Sequence, residues 1–250
     1  MKIPPADIKV MVAHGDPALR TAMRVLLTDN GFNVALARDG FQALQLLEIE
    51  FPRVAILDVA LPGMYGFEIL DFIRSNDGLR DIKVVLLASI YHKTRYKRTP
   101  TSLYGADDYI EIHHISDSLV PIVSHLFGVD ARSIPGKEWT PPVQVEVHPQ
   151  VRDISRGIED KVLPLSEMDD AHKKARNLAR LIVSDIALYN QELIEKGVRE
   201  GTFYELLKDD IREGEGYYSK RVSPEILKQT VYLKDAFEEL IEKIRKRLGV

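Results

Sequence analysis

The sequence predicts an α/β chain: a doubly wound five-stranded parallel sheet with helices on both faces, followed by a separate all-α helical module. Three observations lead there. Five short apolar runs in the first half alternate with stretches of helical periodicity, and no hairpin turns join them. Prolines at 135, 141, 142, 149 and 164 then break the pattern. From residue 166 onward apolar side chains recur every three or four positions. The organisation expected is a sheet domain over 1–128, a Pro-interrupted linker over 129–165 and a helical output or dimerisation module over 166–250.

Each element has a local reason. Ile8 to Ala13 is an apolar run suited to a buried parallel strand. Asp16-Pro17 supplies an N-cap and a proline at the first helical position, and Gly31 ends that helix. Phe32 to Leu36 reads as the second strand, and Phe41 to Ile49 as a short helix. Arg53 to Leu57 is the third strand, Phe67 to Ile73 a helix and Ile82 to Leu87 the fourth strand. Ala106 to Ile110 is the fifth strand, and a closing helix spans Leu119 to Leu126. Val143 to Val147 alternates and is compatible with a short edge strand, though a linker packed on the first domain is the plainer reading. In the second half, a stripe from Ala175 to Ile194 marks one long helix. Thr202 caps a second through Ile211, and Gly214 and Gly216 break it. Ser223-Pro224-Glu225 opens a third that runs past Leu240 to Arg247.

Composition narrows the function classes. The chain has 250 residues, no cysteine and a net charge of −4. Disulfide scaffolds, thiol catalysis and Cys-based zinc sites are excluded. Nothing global points to nucleic acid or an anionic membrane. No 18-residue apolar stretch spans a bilayer, and the first residues lack an apolar signal core, so a cytoplasmic location is expected. There is no Gly-rich phosphate loop, nucleophile elbow or His-Glu metal helix, and no enzymatic activity is expected.

The most specific stretch is Val54 to Gly66, in which an apolar strand delivers Asp58 at its carboxyl end ahead of Leu61-Pro62-Gly63. With Gly105-Ala106-Asp107-Asp108-Tyr109, Asp16-Pro17-Ala18-Leu19-Arg20 and Asp39-Gly40, it resembles the receiver domain of bacterial two-component response regulators, over roughly residues 7 to 128. The resemblance implies the flavodoxin-like sheet and makes Asp58 the phospho-acceptor position. It also implies a divalent metal held by acids after the first strand, a Ser or Thr after the fourth, and a Lys after the fifth. This sequence departs at all three. The acidic pair falls on His14 and Gly15, the Ser/Thr position on Ala88 with Ser89 next to it, and the Lys position on Ile112. Tyr109 fills the aromatic switch position. Asp16 is read as a helix cap.

With one carboxylate left, a hard-cation site is weak. Losing several positioned charges costs phosphotransfer heavily, since one stabilising donor is worth roughly 10²–10³ in rate elsewhere. The expectation is a degenerate receiver acting through protein–protein contacts, with no cofactor. Mg²⁺ enters only if Asp58 is phosphorylated. The alternatives are a working phospho-acceptor at Asp58, or a transcription regulator with an atypical helical DNA-binding domain. Residues 167–250 hold 16 Lys+Arg against 17 Asp+Glu, which argues against DNA. Expected partners are signalling proteins such as a histidine kinase or pathway scaffold, and a second copy through the C-terminal helices. Two further groups stand out. His14, His92, His113 and His114 all follow strands at one sheet edge and offer a borderline-metal site. Lys93, Arg95, Lys97 and Arg98 form a basic run suited to a protein contact.

Overall fold

The structure is a computed structural model that describes residues 4–88, 103–128 and 165–250, with side chains of the last segment from 170 onward. A five-stranded parallel sheet is built from β1 (Lys9–Ala13), β2 (Asn33–Ala37), β3 (Val54–Asp58), β4 (Lys83–Ala88) and β5 (Asp108–Glu111), in the order β2-β1-β3-β4-β5. Between and after the strands run α1 (Pro17–Asp29), α2 (Gly40–Glu50), α3 (Gly66–Ser75) and α4 (Ile115–Leu126). The linker and the basic run lie outside the described residues, as do Ser89 and His92.

Strand alternation divides the core. Val10, Val12, Ile56, Val85 and Leu87 point to one face, where Met23 and Leu27 of α1 and Leu119 and Val123 of α4 cover them. Met11, Ala55, Leu57, Val84 and Leu86 point to the other, under α2 and α3. Asp16 caps α1 by accepting from the backbone N–H of Ala18 and Leu19. That bond supports the cap reading and engages the side chain locally. Gly66 opens α3 so close to β3 that a Cβ there would lie 2.8 Å from the Asp58 carbonyl oxygen.

The C-terminal half is helical, as expected, but divided differently. It comprises α5 (Leu165–Tyr189), α6 (Gln191–Glu200), α7 (Phe203–Leu206), α8 (Lys208–Ser219), α9 (Pro224–Gln229) and α10 (Tyr232–Leu248). Gly214 and Gly216 do not break α8. Ile211, Gly214 and Tyr218 form its buried stripe, and packing outweighs the glycine penalty of about 1 kcal/mol each. The expected third helix stops at Thr230, which is extended, and restarts at Tyr232. Ser223 caps α9 through the Ile226 N–H, whereas the Thr202 hydroxyl makes no cap bond and is buried without a partner among the described residues.

The module is separate in sequence and joined in space. Ile182, Val183, Ile186, Leu240 and Ile244 belong to the same buried apolar cluster as the second face of the sheet. Tyr65, Phe67 and Tyr104 stack with centroids 5.2 and 5.1 Å apart. The Tyr104 hydroxyl donates to the Ala187 carbonyl at 2.9 Å, and its N–H donates to Gln191 Oε1 at 3.1 Å. Lys243 bridges to Glu68 at 2.7 Å, and Arg247 to Asp71 at 3.0 Å.

A core shared across both halves makes unfolding a single event. Ile182→Ala and Leu240→Ala should each cost about 2–5 kcal/mol in urea denaturation. Each should also lower amide hydrogen-exchange protection in β4 of the sheet domain. Two separable transitions, with β4 unaffected, would contradict the shared core.

Candidate functional site

Asp58 ends β3 beside Leu87 of β4, at the carboxyl edge of the sheet. Parallel sheets of this kind present their functional groups there. The residue is 5% exposed. Its Oδ1 accepts from the Ala60 N–H at 3.0 Å. His14, which follows β1 directly, places Nε2 at 3.6 Å from Oδ2, beyond hydrogen-bond range.

The geometry around His14 sets its tautomer. Nδ1 accepts from the Asp16 N–H at 2.9 Å, so that nitrogen carries the lone pair and Nε2 holds the proton toward Asp58. Nε2 is buried without a hydrogen-bond partner among the described residues. Arg20 fixes the loop by donating to the carbonyls of His14 and Gly15. Gly15 lets this loop press against the turn after Asp58, since a Cβ there would meet Pro62 Cγ at 3.0 Å.

Burial pushes the Asp58 carboxyl above the usual carboxylate range. His14, the Ala60 N–H, Arg180 and the Gly15 backbone pull it down without cancelling that effect. Arg180 comes from α5, more than a hundred positions away in sequence. Its guanidinium carbon sits 4.0 Å from the centre of the Tyr65 ring, and Nη1 donates to Glu239 at 3.0 Å. Nε and Nη2 are buried with no hydrogen-bond partner among the described residues. The sequence marks Arg180 only as one of several basic residues at the start of a helix. No local signal in the sequence couples it to Asp58.

The remaining predicted positions are occupied as follows. Ile112 opens the short 3₁₀ turn Ile112–His114 and packs on the first-face cluster, so no ammonium extends from it. Ala88 is buried at the end of β4. Tyr109 lies in β5 opposite Leu86 and packs on the second-face cluster. Asp107 has a structural role: burial pushes its carboxyl up, but Lys83, the Val84 N–H and Arg74 outweigh that and hold it low.

A hard divalent cation does not fit beside Asp58. Mg²⁺ demands an octahedron of oxygens, usually anchored by carboxylates. Among the described residues no second acidic side chain acts on Asp58 electrostatically, and Asp16 is engaged as a cap. The expected four-histidine site is also corrected. β3 and β4 separate β1 from β5, so His14 is three strand spacings, about 14 Å, from the β5 edge. The side chains that do come together are Glu111, His113 and His114.

Residues 10–119 match the response regulator receiver domain family. The response regulator MprA of Mycobacterium sp. (strain KMS) is 27% identical over 154 residues, covering 60% of this chain and 64% of that protein. MprA of Mycolicibacterium vanbaalenii is 32% identical over 103 residues, covering 41% and 43%. The chain thus spans less than two thirds of the length of these relatives. Among solved structures, a putative response regulator from Chloroflexus aurantiacus aligns with 48% of this chain and 98% of its own, at 21% identity and a TM-score of 0.43. The chemotaxis response regulator CheY4 of Vibrio cholerae aligns with 48% and 98%, at 22% and 0.42.

The raised Asp58 pKa has a stability consequence of defined sign. Between the unfolded carboxylate value of about 3.9 and the raised folded value, the native state binds more protons, so stability falls as pH rises through the folded value. Asp58→Asn, whose carbonyl can still accept from Ala60, should raise the urea midpoint at pH 7 and remove that part of the pH dependence. A lower midpoint at pH 7 would refute the burial penalty.

Proposed function

We propose that the receiver domain at residues 10–119 works in two-component signalling as a degenerate receiver, a protein-docking platform with no metal-assisted phosphoryl step. The cradle of Asp58 carries this reading: a buried carboxylate lies beside a histidine edge and within the field of an arginine, with no acid pair and no lysine among the described residues around it. A metal-assisted transfer needs the cation to neutralise charge developing on the phosphoryl oxygens. The described residues around Asp58 supply no ligand set for one.

The second support is the contact with the helical module. In a switching receiver, added phosphate charge biases a two-state face. Here the module seals that part of the receiver that includes Tyr65, Glu68, Asp71 and Tyr104. Its Arg180 reaches the surroundings of Asp58. We propose that the module is the output element, and that signalling partners act by competing for or stabilising this contact. The chain is proposed to be a cytoplasmic, non-enzymatic protein without a resident cofactor. Among the described residues no helix is long and apolar enough to cross a membrane. The near-neutral module favours protein partners over DNA.

One observation favours the second reading, a working phospho-acceptor. Arg180 brings a positive charge toward Asp58 from outside the receiver, and its Nε and Nη2 lack partners among the described residues. Incubation with acetyl phosphate and Mg²⁺, read by intact mass and Phos-tag gel, separates the two. The expected result is no adduct above the level in Asp58→Asn. A stoichiometric adduct, absent in Asp58→Asn and reduced at least tenfold in Arg180→Ala, would replace the degenerate reading with a receiver completed by its own output module.

A further inference from the structure

We propose that Glu111, His113 and His114 form a binding site for a borderline transition metal, Zn²⁺ or Cu²⁺, at the end of β5 where the receiver meets the helical module. The site is distinct from Asp58 and does not rest on how that residue works. Four consecutive residues, the last of a strand and a 3₁₀ turn, bring a carboxylate and two imidazoles to one place. His113 Nε2 is 3.1 Å and His114 Nε2 3.9 Å from Glu111 Oε2. One ligand atom from each lies within 4.8 Å of the others. The two rings stand 4.1 Å apart, tilted by 42°.

The donor set selects the metal class. Two imidazoles and one carboxylate suit Zn²⁺ and Cu²⁺ and leave Mg²⁺ and Ca²⁺, which prefer all-oxygen shells, poorly served. Bonds of about 2.0–2.1 Å put tetrahedral ligands roughly 3.3 Å apart. The present spread reaches that value by small ring rotations, and both histidines are exposed enough to turn, at 40% and 55% of the side chain. Glu111 is the fixed point. Its side chain is 17% exposed, and its backbone is set by the pairing with Ala88.

The two oxygens of Glu111 divide their roles. Oε2 faces the histidines, while Oε1 accepts from the Tyr189 hydroxyl of α5 at 3.4 Å. Tyr189 therefore orients a ligand from the module, the arrangement that outer-shell partners of metal sites adopt. Metal bound here fixes the carboxylate to which the module is hydrogen-bonded.

The test uses the untagged full chain, stripped with chelator and titrated with Zn²⁺ by calorimetry, with Cu²⁺ electron paramagnetic resonance as a second readout. The expected result is one saturable Zn²⁺ per chain and a Cu²⁺ spectrum with nitrogen splitting from two imidazoles. His113→Ala and His114→Ala should each weaken binding at least tenfold. Tyr189→Phe should weaken it by about tenfold. His125→Ala, at another exposed histidine, should leave it unchanged, and so should excess Mg²⁺. Absence of saturable uptake would overturn the proposal. So would uptake that survives both His113→Ala and His114→Ala in variants with wild-type circular dichroism.

Discussion

The stack of Tyr65, Phe67 and Tyr104 is the constraint on which the two halves of the chain depend. Each ring comes from the receiver, and the described C-terminal helices close over the set. Arg180 and Lys243 stand over Tyr65, and Arg247 over Tyr104. Cations facing aromatic rings in a partly desolvated seam gain more than they do in water. The same three cations reach Glu239, Glu68 and Asp71, so each is neutralised where it is held. Burial pushes the Tyr65 and Tyr104 hydroxyls well up, which keeps both as donors to module carbonyls. The seam combines apolar area, paired charge and satisfied hydroxyls, the features that make an interface within a chain persist.

That seam bears on Asp58 because Tyr65 closes the loop that follows it. Gly66 packs against the Asp58 carbonyl, and Glu68 accepts from the Tyr65 N–H at 2.7 Å while holding Lys243. A change at the end of β3 is therefore one short loop away from the module. Receivers that switch use added charge to move such a loop. In this chain the Arg180 charge and the N–H edge of the neutral His14 ring already act on the carboxylate. The structure thus links Asp58 and the helical module through packed side chains.

Much of the fold was legible because parallel sheets write themselves plainly. Strands buried on both faces are short apolar runs, as in β3, where all five residues are buried. Asp16-Pro17 and Ser223-Pro224 fixed two helix starts through chemistry local to the chain. Reading failed where packing outvoted local preference. Gly214 and Gly216 look like breaks, yet α8 runs through both. Thr202 looks like a cap, yet its hydroxyl makes no such bond. The histidines looked like one constellation because each follows a strand, but strand order, which crossover connections set, puts His14 and His113 at different places along the edge.

For the candidate site, the sequence alone determined the residue types: one aspartate at a strand end, His14 and Gly15 where acids are expected, and Ile112 where a lysine is expected. The expectation of acids and a lysine there comes from the receiver resemblance, and the short spacings from Pro17 and the strand ends carry it onto these residues. Only the tertiary structure decided that Arg180 acts electrostatically on Asp58 and that Glu111, not His14, joins His113 and His114. It alone decided that the helical half shares a core with the sheet. Those are contacts between segments that regular spacing does not connect, so their geometry comes from how whole surfaces fit and not from any local pattern.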